Sequence, residues 1–417
     1  MAELRAANEA SRWVVVHAGS RDHYEIPKAF DERGELGAFV TDWYSKVDRF
    51  PTRYLRAVLP LRYRIWLERR YSSGLKSRRV IDSKMAAVLS GLGRRLGCTW
   101  ADYQSSDRLL GRRAAEIATR TQSNLLSTSY YAADAFRCYQ GPGRRVVFQI
   151  HPSPLYLRRL YERFVKRGGL FEGLQNESEM TASEDEVERW RDEATLADRI
   201  IVSSEFTRRS VDDTRPARAP AFVVPYGVDG DLFQPRLKHQ AYRTLRVLFV
   251  GSKVARKGLH LLLQVWNDLR PRSAILRVAG AGVADLRILK EFAGVGDILP
   301  RLSKTELVEE YQAADLFVLP SLAEGFGHVY LEALACGTPV IGTENTAVPD
   351  LLMTGKCGFT VTAGDGEALA RCLESLLAKP TVLREMREEA RRVAELHSWA
   401  RFRSAVYNTC TSGERSG

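Results

Sequence analysis

The stretch Asp315-Leu316-Phe317-Val318-Leu319-Pro320-Ser321-Leu322-Ala323-Glu324-Gly325-Phe326-Gly327-His328-Val329-Tyr330-Leu331-Glu332-Ala333-Leu334-Ala335-Cys336-Gly337 carries the deciding pattern. It opens on an apolar run short enough for a strand buried on both faces. A glycine-flanked turn follows, then apolar residues at helical spacing that stop at Gly337. Strand, turn and helix form the repeating unit of an open α/β sheet, where ligands gather at the carboxyl ends of strands. Glu324 stands at the strand exit, and Glu332 is expected about two turns into the helix. Both are expected to face the space above the helix N-terminus, where unpaired N–H groups favour an anion. Carboxylates beside an anion suit hydroxyl groups, so the pattern fits a ligand that is part phosphate and part sugar.

The same unit recurs outward from this stretch. Trp13-Val14-Val15-Val16-His17 reads as a first strand leading into the turn Ala18-Gly19-Ser20-Arg21. Further strand-like runs are Asn124-Leu125-Leu126-Ser127, Val146-Val147-Phe148-Gln149-Ile150 and Arg199-Ile200-Ile201-Val202, with helices between them. Ser183-Glu184-Asp185-Glu186 offers a capping-box start for one of those helices. The pattern breaks at Pro225-Tyr226-Gly227-Val228-Asp229-Gly230-Asp231 and resumes at Arg246-Val247-Leu248-Phe249-Val250-Gly251. A length of 417 residues accommodates two domains. We therefore expect a first domain of 1–238, a second of 239–397 and a closing segment of 398–417.

Composition excludes several classes. Hydrophobic residues at 45% and charged residues at 27% fit a folded globular chain. No apolar run reaches the ~18 residues of a membrane span, and the N-terminus lacks a secretory profile. Six scattered cysteines without a C-x-x-C pair fit a reducing cytoplasm rather than disulfides or zinc. The net charge is +11, and residues 51–100 hold 12 Lys/Arg against 2 Asp/Glu. In segment 53–95 those cations alternate with Leu, Tyr and Trp. That suits an anionic membrane surface or another polyanion, or a solvated helical face with its apolar residues inward. Nucleic acid is not expected as a partner.

The second domain begins with a strand that runs into Gly251-Ser252-Lys253-Val254-Ala255-Arg256-Lys257-Gly258. Three cations before a helix start suit a phosphate. With Glu324-Gly325-Phe326-Gly327 and Glu332 eight positions beyond the loop's acid, an E-x7-E spacing, the chain here resembles glycosyltransferase family 4. Supporting pieces are Ala197-Asp198-Arg199-Ile200-Ile201-Val202-Ser203-Ser204-Glu205, Pro225-Tyr226-Gly227-Val228-Asp229 and Ser398-Trp399-Ala400-Arg401-Phe402. Coverage is strong from about 195 to 403. The resemblance implies a GT-B fold, with two Rossmann-like domains facing a cleft and a final helix crossing back to the first. It implies transfer of a sugar from a nucleotide-diphosphate sugar to a hydroxyl with retention, by front-face substitution in which the leaving phosphate takes the acceptor's proton.

In that reading Glu332 holds the ribose, and Glu324 holds the transferred sugar with the N–H groups of Gly325, Phe326 and Gly327. Lys257 neutralises the diphosphate, and His151 at a strand end lines the sugar site, against a purely structural role for a lone histidine. Gly251 and Ser252 stand where the family often has Gly-Arg, so Arg256 or Lys253 is expected to replace the missing cation. Gly19, Ser20 and Arg21 replace a double glycine on the acceptor side. The acceptor is expected to be a glycan, lipid-linked or presented at a membrane, with the enzyme cytoplasmic and peripheral on the membrane's inner face.

Other chemistries fit less well. Two acids could suit a glycosidase, but these stand beside a cationic loop and need no shifted pKa to bind hydroxyls. Gly280-Ala281-Gly282-Val283-Ala284-Asp285 is only G-x-G-x-x-D, too little for a dinucleotide site. With no D-x-D pair expected near the site, neither metal nor cofactor is expected. The alternatives are a nucleotide-sugar epimerase on the same fold and a non-catalytic sugar-nucleotide-binding scaffold.

Overall fold

A computed structural model describes residues 12–45, 54, 59–60, 64, 67–83, 100–214, 219–236, 244–252, 254–280 and 291–413, with side chains of 100–106 left aside. Lys253, residues 281–285, Cys98 and most of segment 53–95 lie outside the described residues.

Two parallel sheets organise the chain. The first contains β1 (Trp13–Val16), β2 (Leu36–Thr41), β3 (Val80–Asp82), β4 (Asn124–Thr128), β5 (Arg145–Gln149), β6 (Arg199–Val202) and β7 (Ala221–Val223) in the order β3-β2-β1-β4-β5-β6-β7. The second contains β8 (Leu245–Val250), β9 (Ala274–Ala279), β10 (Asp297–Ile298), β11 (Leu316–Val318), β12 (Val340–Thr343) and β13 (Gly358–Val361) in the order β10-β9-β8-β11-β12-β13. The runs Trp13–Val16 and Leu316–Val318 are buried at every position, as strands covered on both faces must be. Val14 and Val16 pack with Leu110 and Ala114 on one face of β1, while Trp13 and Val15 join Phe30 and Phe39 on the other. This is an α/β architecture of two Rossmann-like units.

Strand order places the ligand site. In the first sheet the direction of winding reverses between β1 and β4, and in the second between β8 and β11. Such reversals open a crevice beyond the carboxyl ends of the strands. The segments that leave β1, β4, β8 and β11 carry Arg21, Tyr130, Lys257 and Glu324 respectively.

The two units are tied at a double crossing. The Val228 N–H donates to the His397 carbonyl at 2.9 Å, and a Cβ on Gly227 would stand 2.5 Å from the Trp399 nitrogen. The helix Trp399–Thr411 then packs on the first unit, beside the helix Glu25–Asp31. Arg403 pairs with Glu25 and reaches Glu32 at 2.9 Å, and the Tyr407 hydroxyl donates to Glu35 at 2.7 Å. Arg144 and Arg199 donate to the Ser412 carbonyl at 2.8 and 2.7 Å, cations at the negative end of that helix. The five described cysteines are free, and no helix among the described residues is long and apolar enough to cross a membrane.

Candidate active site

Lys257 closes a short turn, Ala255–Lys257, after β8. The next residue, Gly258, has φ 71°, and a Cβ there would lie 2.1 Å from the Pro320 carbonyl oxygen. Only glycine lets this turn press against the exit of β11. The Leu322 N–H donates to the Arg256 carbonyl at 2.7 Å, stitching the two segments together. The result is a buried carboxylate with two cations: Lys257 Nζ lies 2.6 Å from Glu324 Oε1, and the Arg256 guanidinium bonds the same oxygen. Arg256 also reaches across to Glu177 of the first unit at 3.5 Å.

The charges follow from these distances. Burial alone would raise the Glu324 pKa, but Lys257 and Arg256 outweigh it and hold the group at about 2. Burial lowers the Lys257 pKa, with Glu324 opposing. His151 falls to about 4 through burial and the nearby Arg256 and Arg21. At neutral pH the site therefore holds a carboxylate and an uncharged imidazole.

Glu324, Gly325, His151, Arg256 and Arg21 line one cavity of about 210 Å³, closed on the first unit's side by Tyr130, Tyr161 and the acids Asp107, Glu177 and Glu179. Arg21, read from the sequence as acceptor-side, thus faces the same space as Glu324. Its turn also holds Ser20 and Gly19, whose N–H donates to Asp42 at 2.8 Å. Gly251 and Ser252 sit half-buried at the β8 exit, where a Cβ on Gly280 would lie 1.9 Å from the Gly251 carbonyl oxygen.

Glu332 opens into a different compartment. It begins one turn into its helix, not two, because Gly327 is left-handed (φ 87°) and the helix starts only at His328. Its cavity, about 240 Å³, is shared with Asp22, Asp229, Lys304, His328 and Trp399. The Tyr311 hydroxyl donates to Glu332 at 2.8 Å, and burial raises the Glu332 pKa. Phe326, buried against Tyr226 at 5.5 Å, and the Gly325–His328 turn separate the two carboxylates. The expectation of no D-x-D near the site is corrected here, since Asp229-Gly230-Asp231 borders this compartment through Asp229. The Asp229 carboxylate accepts the N–H groups of Asp231 and Leu232 at 3.2 and 3.1 Å and so shapes the turn. Among the described residues no cluster of three or more His, Cys, Asp or Glu is arranged around a metal position.

Several residues at the site carry no readable sequence signal. Asp22, His23 and Tyr24 have φ of 46°, 52° and 64°, a left-handed run without glycine. This run turns the Asp22 carboxylate to His328 Nε2 at 3.5 Å across the cleft. Tyr311 and Glu177 are equally unmarked in the chain.

Two parallel doubly wound units facing each other, with Glu324, Lys257 and Arg256 on the second unit's strand exits, define a GT-B fold. Residues 238–393 match the family model of glycosyl transferases group 1. The D-inositol 3-phosphate glycosyltransferase of Geodermatophilus obscurus is 33% identical over 229 residues, 49% of this chain and 50% of that one. The MMP alpha-(1->4)-mannosyltransferase of Mycolicibacterium hassiacum is 31% identical over 210 residues, 48% and 50% of the two chains. The chain thus spans about half the length of these curated relatives. Among solved structures, sucrose-phosphate synthase from Thermosynechococcus elongatus superposes with a TM-score of 0.66 at 16% identity, over 95% of this chain and 98% of that one. Anabaena Alr3699/HepE, solved with UDP and glucose, gives 0.59 at 13% identity, over 97% and 100%. These likenesses place the fold.

Proposed function

We propose that the protein is a retaining glycosyltransferase of the family 4 kind, moving a sugar from a nucleotide-diphosphate sugar to a hydroxyl acceptor. One observation carries the reading: Glu324 is buried and ionised between Lys257 and Arg256, at the point where the two sheets' crevices face each other. A carboxylate in that state accepts hydrogen bonds from sugar hydroxyls. The cations beside it stabilise the charge that grows on a leaving diphosphate, with no metal in the scheme. Glu332 is assigned the ribose hydroxyls. His151, uncharged, supplies a neutral hydrogen-bonding group at the sugar. Glu324, the carboxylate at the sugar position, is held by Lys257 and Arg256 and so is not disposed to attack as a nucleophile, which supports front-face substitution with the acceptor's proton passing to the leaving phosphate.

For the acceptor we propose a glycan, lipid-linked or presented at an anionic surface through segment 53–95. Two of that segment's arginines serve the fold instead: Arg70 pairs with Asp42 at 2.6 Å and Arg79 with Asp31 at 3.6 Å. One relative's name gives D-inositol 3-phosphate and the other's gives mannose as the sugar transferred, so the former enters the acceptor panel and mannose the donor panel on that ground. The test is product analysis with UDP-, GDP-, ADP- and TDP-sugars. Release of nucleotide diphosphate coupled to a new glycosidic bond supports the reading. A donor sugar altered without any acceptor makes the protein an epimerase, and donor binding without turnover makes it a scaffold.

A further inference from the structure

Three hydroxyl oxygens of the first unit converge on one carbonyl of the second. Ser203 Oγ lies 3.2 Å from the Gly325 oxygen, Ser204 Oγ 2.5 Å and Thr207 Oγ1 2.9 Å. All three side chains are fully buried. They come from one turn, in which β6 ends at Val202 and Ser204 caps the helix Glu205–Asp212 by accepting the Thr207 N–H at 3.1 Å. A carbonyl has two lone pairs, and Ser204 Oγ also lies 3.0 Å from Thr207 Oγ1, so the three hydroxyls form one linked set around the Gly325 oxygen. The fit is close on the other side too, since a Cβ on Gly325 would lie 2.1 Å from the Ile150 carbonyl oxygen at the end of β5. One residue earlier, the Glu324 N–H donates to the Asn345 carbonyl at 2.9 Å.

We propose that Ser203, Ser204 and Thr207 are positioning residues for the transfer reaction, a clamp that couples closure of the cleft to the set of the Glu324–Gly327 turn. The donors belong to one unit and the acceptor to the other, so these bonds exist only when the two meet. A peptide group is planar, and its N–H points opposite to its C=O. Fixing the Gly325 carbonyl therefore fixes the direction of the Phe326 N–H and, with the Asn345 bond, the backbone that aims Glu324. Donation to the carbonyl also polarises the peptide and strengthens that N–H as a donor. With the cleft open, the Gly325 peptide is unclamped and the acid is not held in register with Lys257. The turn is then competent only in the closed cleft, where water is excluded. This inference rests on the glycosyltransferase reading above.

Thr207→Val tests it, because it removes one donor, keeps the branched shape and leaves the Ser204 cap in place. We expect kcat to fall about tenfold or more, the size of one lost hydrogen bond. Affinity for the nucleotide diphosphate that best stabilises the wild type should move less than about twofold, a split that separates positioning from binding. Thr207→Ser should restore kcat. Hydrogen exchange gives an arm independent of turnover: in Thr207→Val the peptide covering 324–327 should exchange faster, while those covering β8 and β11 stay protected. Wild-type kcat and exchange in Thr207→Val overturn the clamp, as does an equal loss in Thr207→Ser. A wild type that releases no nucleotide diphosphate overturns the transferase reading instead, and the exchange arm still decides the clamp.

Discussion

Glu324 is an acid whose surroundings keep it charged, and that charge is what the site uses. Glu324→Gln keeps the shape and removes the charge that Lys257 and Arg256 share, so kcat should drop about 10²- to 10³-fold with the fold intact. Lys257→Ala should do the same through the leaving diphosphate. Near-wild-type turnover in either variant, measured beside its circular dichroism, removes that residue from the mechanism. Titration offers a second check. His17 and His260 fall from 6.5 to about 4 because burial disfavours their charged form. The unfolded chain binds those protons first, so stability from this source is complete above 6.5 and is lost as pH falls towards 4. Glu324 acts lower, stabilising above 4.5 and losing its contribution as pH falls through about 2. His260→Leu should therefore lessen the fall in urea stability between about pH 7 and pH 5 by on the order of 2 kcal/mol. An unchanged pH slope contradicts this.

At the scale of elements, two glycines do opposite work. Gly258→Ala drives a Cβ into the Pro320 carbonyl within the second unit and strains a left-handed residue. It should destabilise that unit by about 3 kcal/mol or more, read as a lowered thermal midpoint. Gly325→Ala drives a Cβ into the Ile150 carbonyl across the cleft. It should leave both units folded but hold them apart, raising the radius of gyration in small-angle scattering. A compact, active Gly325→Ala contradicts the close approach. The long-range grammar was legible in the chain because its strands are unbroken apolar runs, as at Trp13–Val16 and Leu316–Val318, and because the Ser183 and Glu186 pair forms a full capping box. Edge strands such as Asp297–Ile298 were not, since two residues carry no period. The start of the Glu332 helix was hidden by Gly327, whose left-handed backbone delays it. The turn of Arg21 to the Glu324 cavity joins residues some three hundred positions apart in the chain, which local pattern does not encode.

Across the whole molecule, the two units meet through the site itself as well as beside it. Arg256 to Glu177, Asp22 to His328 and the Gly325 clamp all cross the cleft. The Glu205 N–H also donates to Asp350 across it at 2.8 Å. The closing helix fastens the chain from behind, burying Phe402 against Phe148 and Tyr226. The excess of cations in segment 53–95 belongs to this scale as well. If it docks on membranes, co-sedimentation with liposomes should rise with anionic lipid and fall with salt. Binding indifferent to both contradicts that docking. The central claim is that this cleft transfers a sugar with retention, using Glu324. The most direct measurement follows nucleotide diphosphate release and the anomeric configuration of the product by NMR, for wild type and Glu324→Gln together. The account predicts release coupled to a product with the donor's configuration, and loss of both in the variant. An inverted product, or release undiminished in Glu324→Gln, would contradict it.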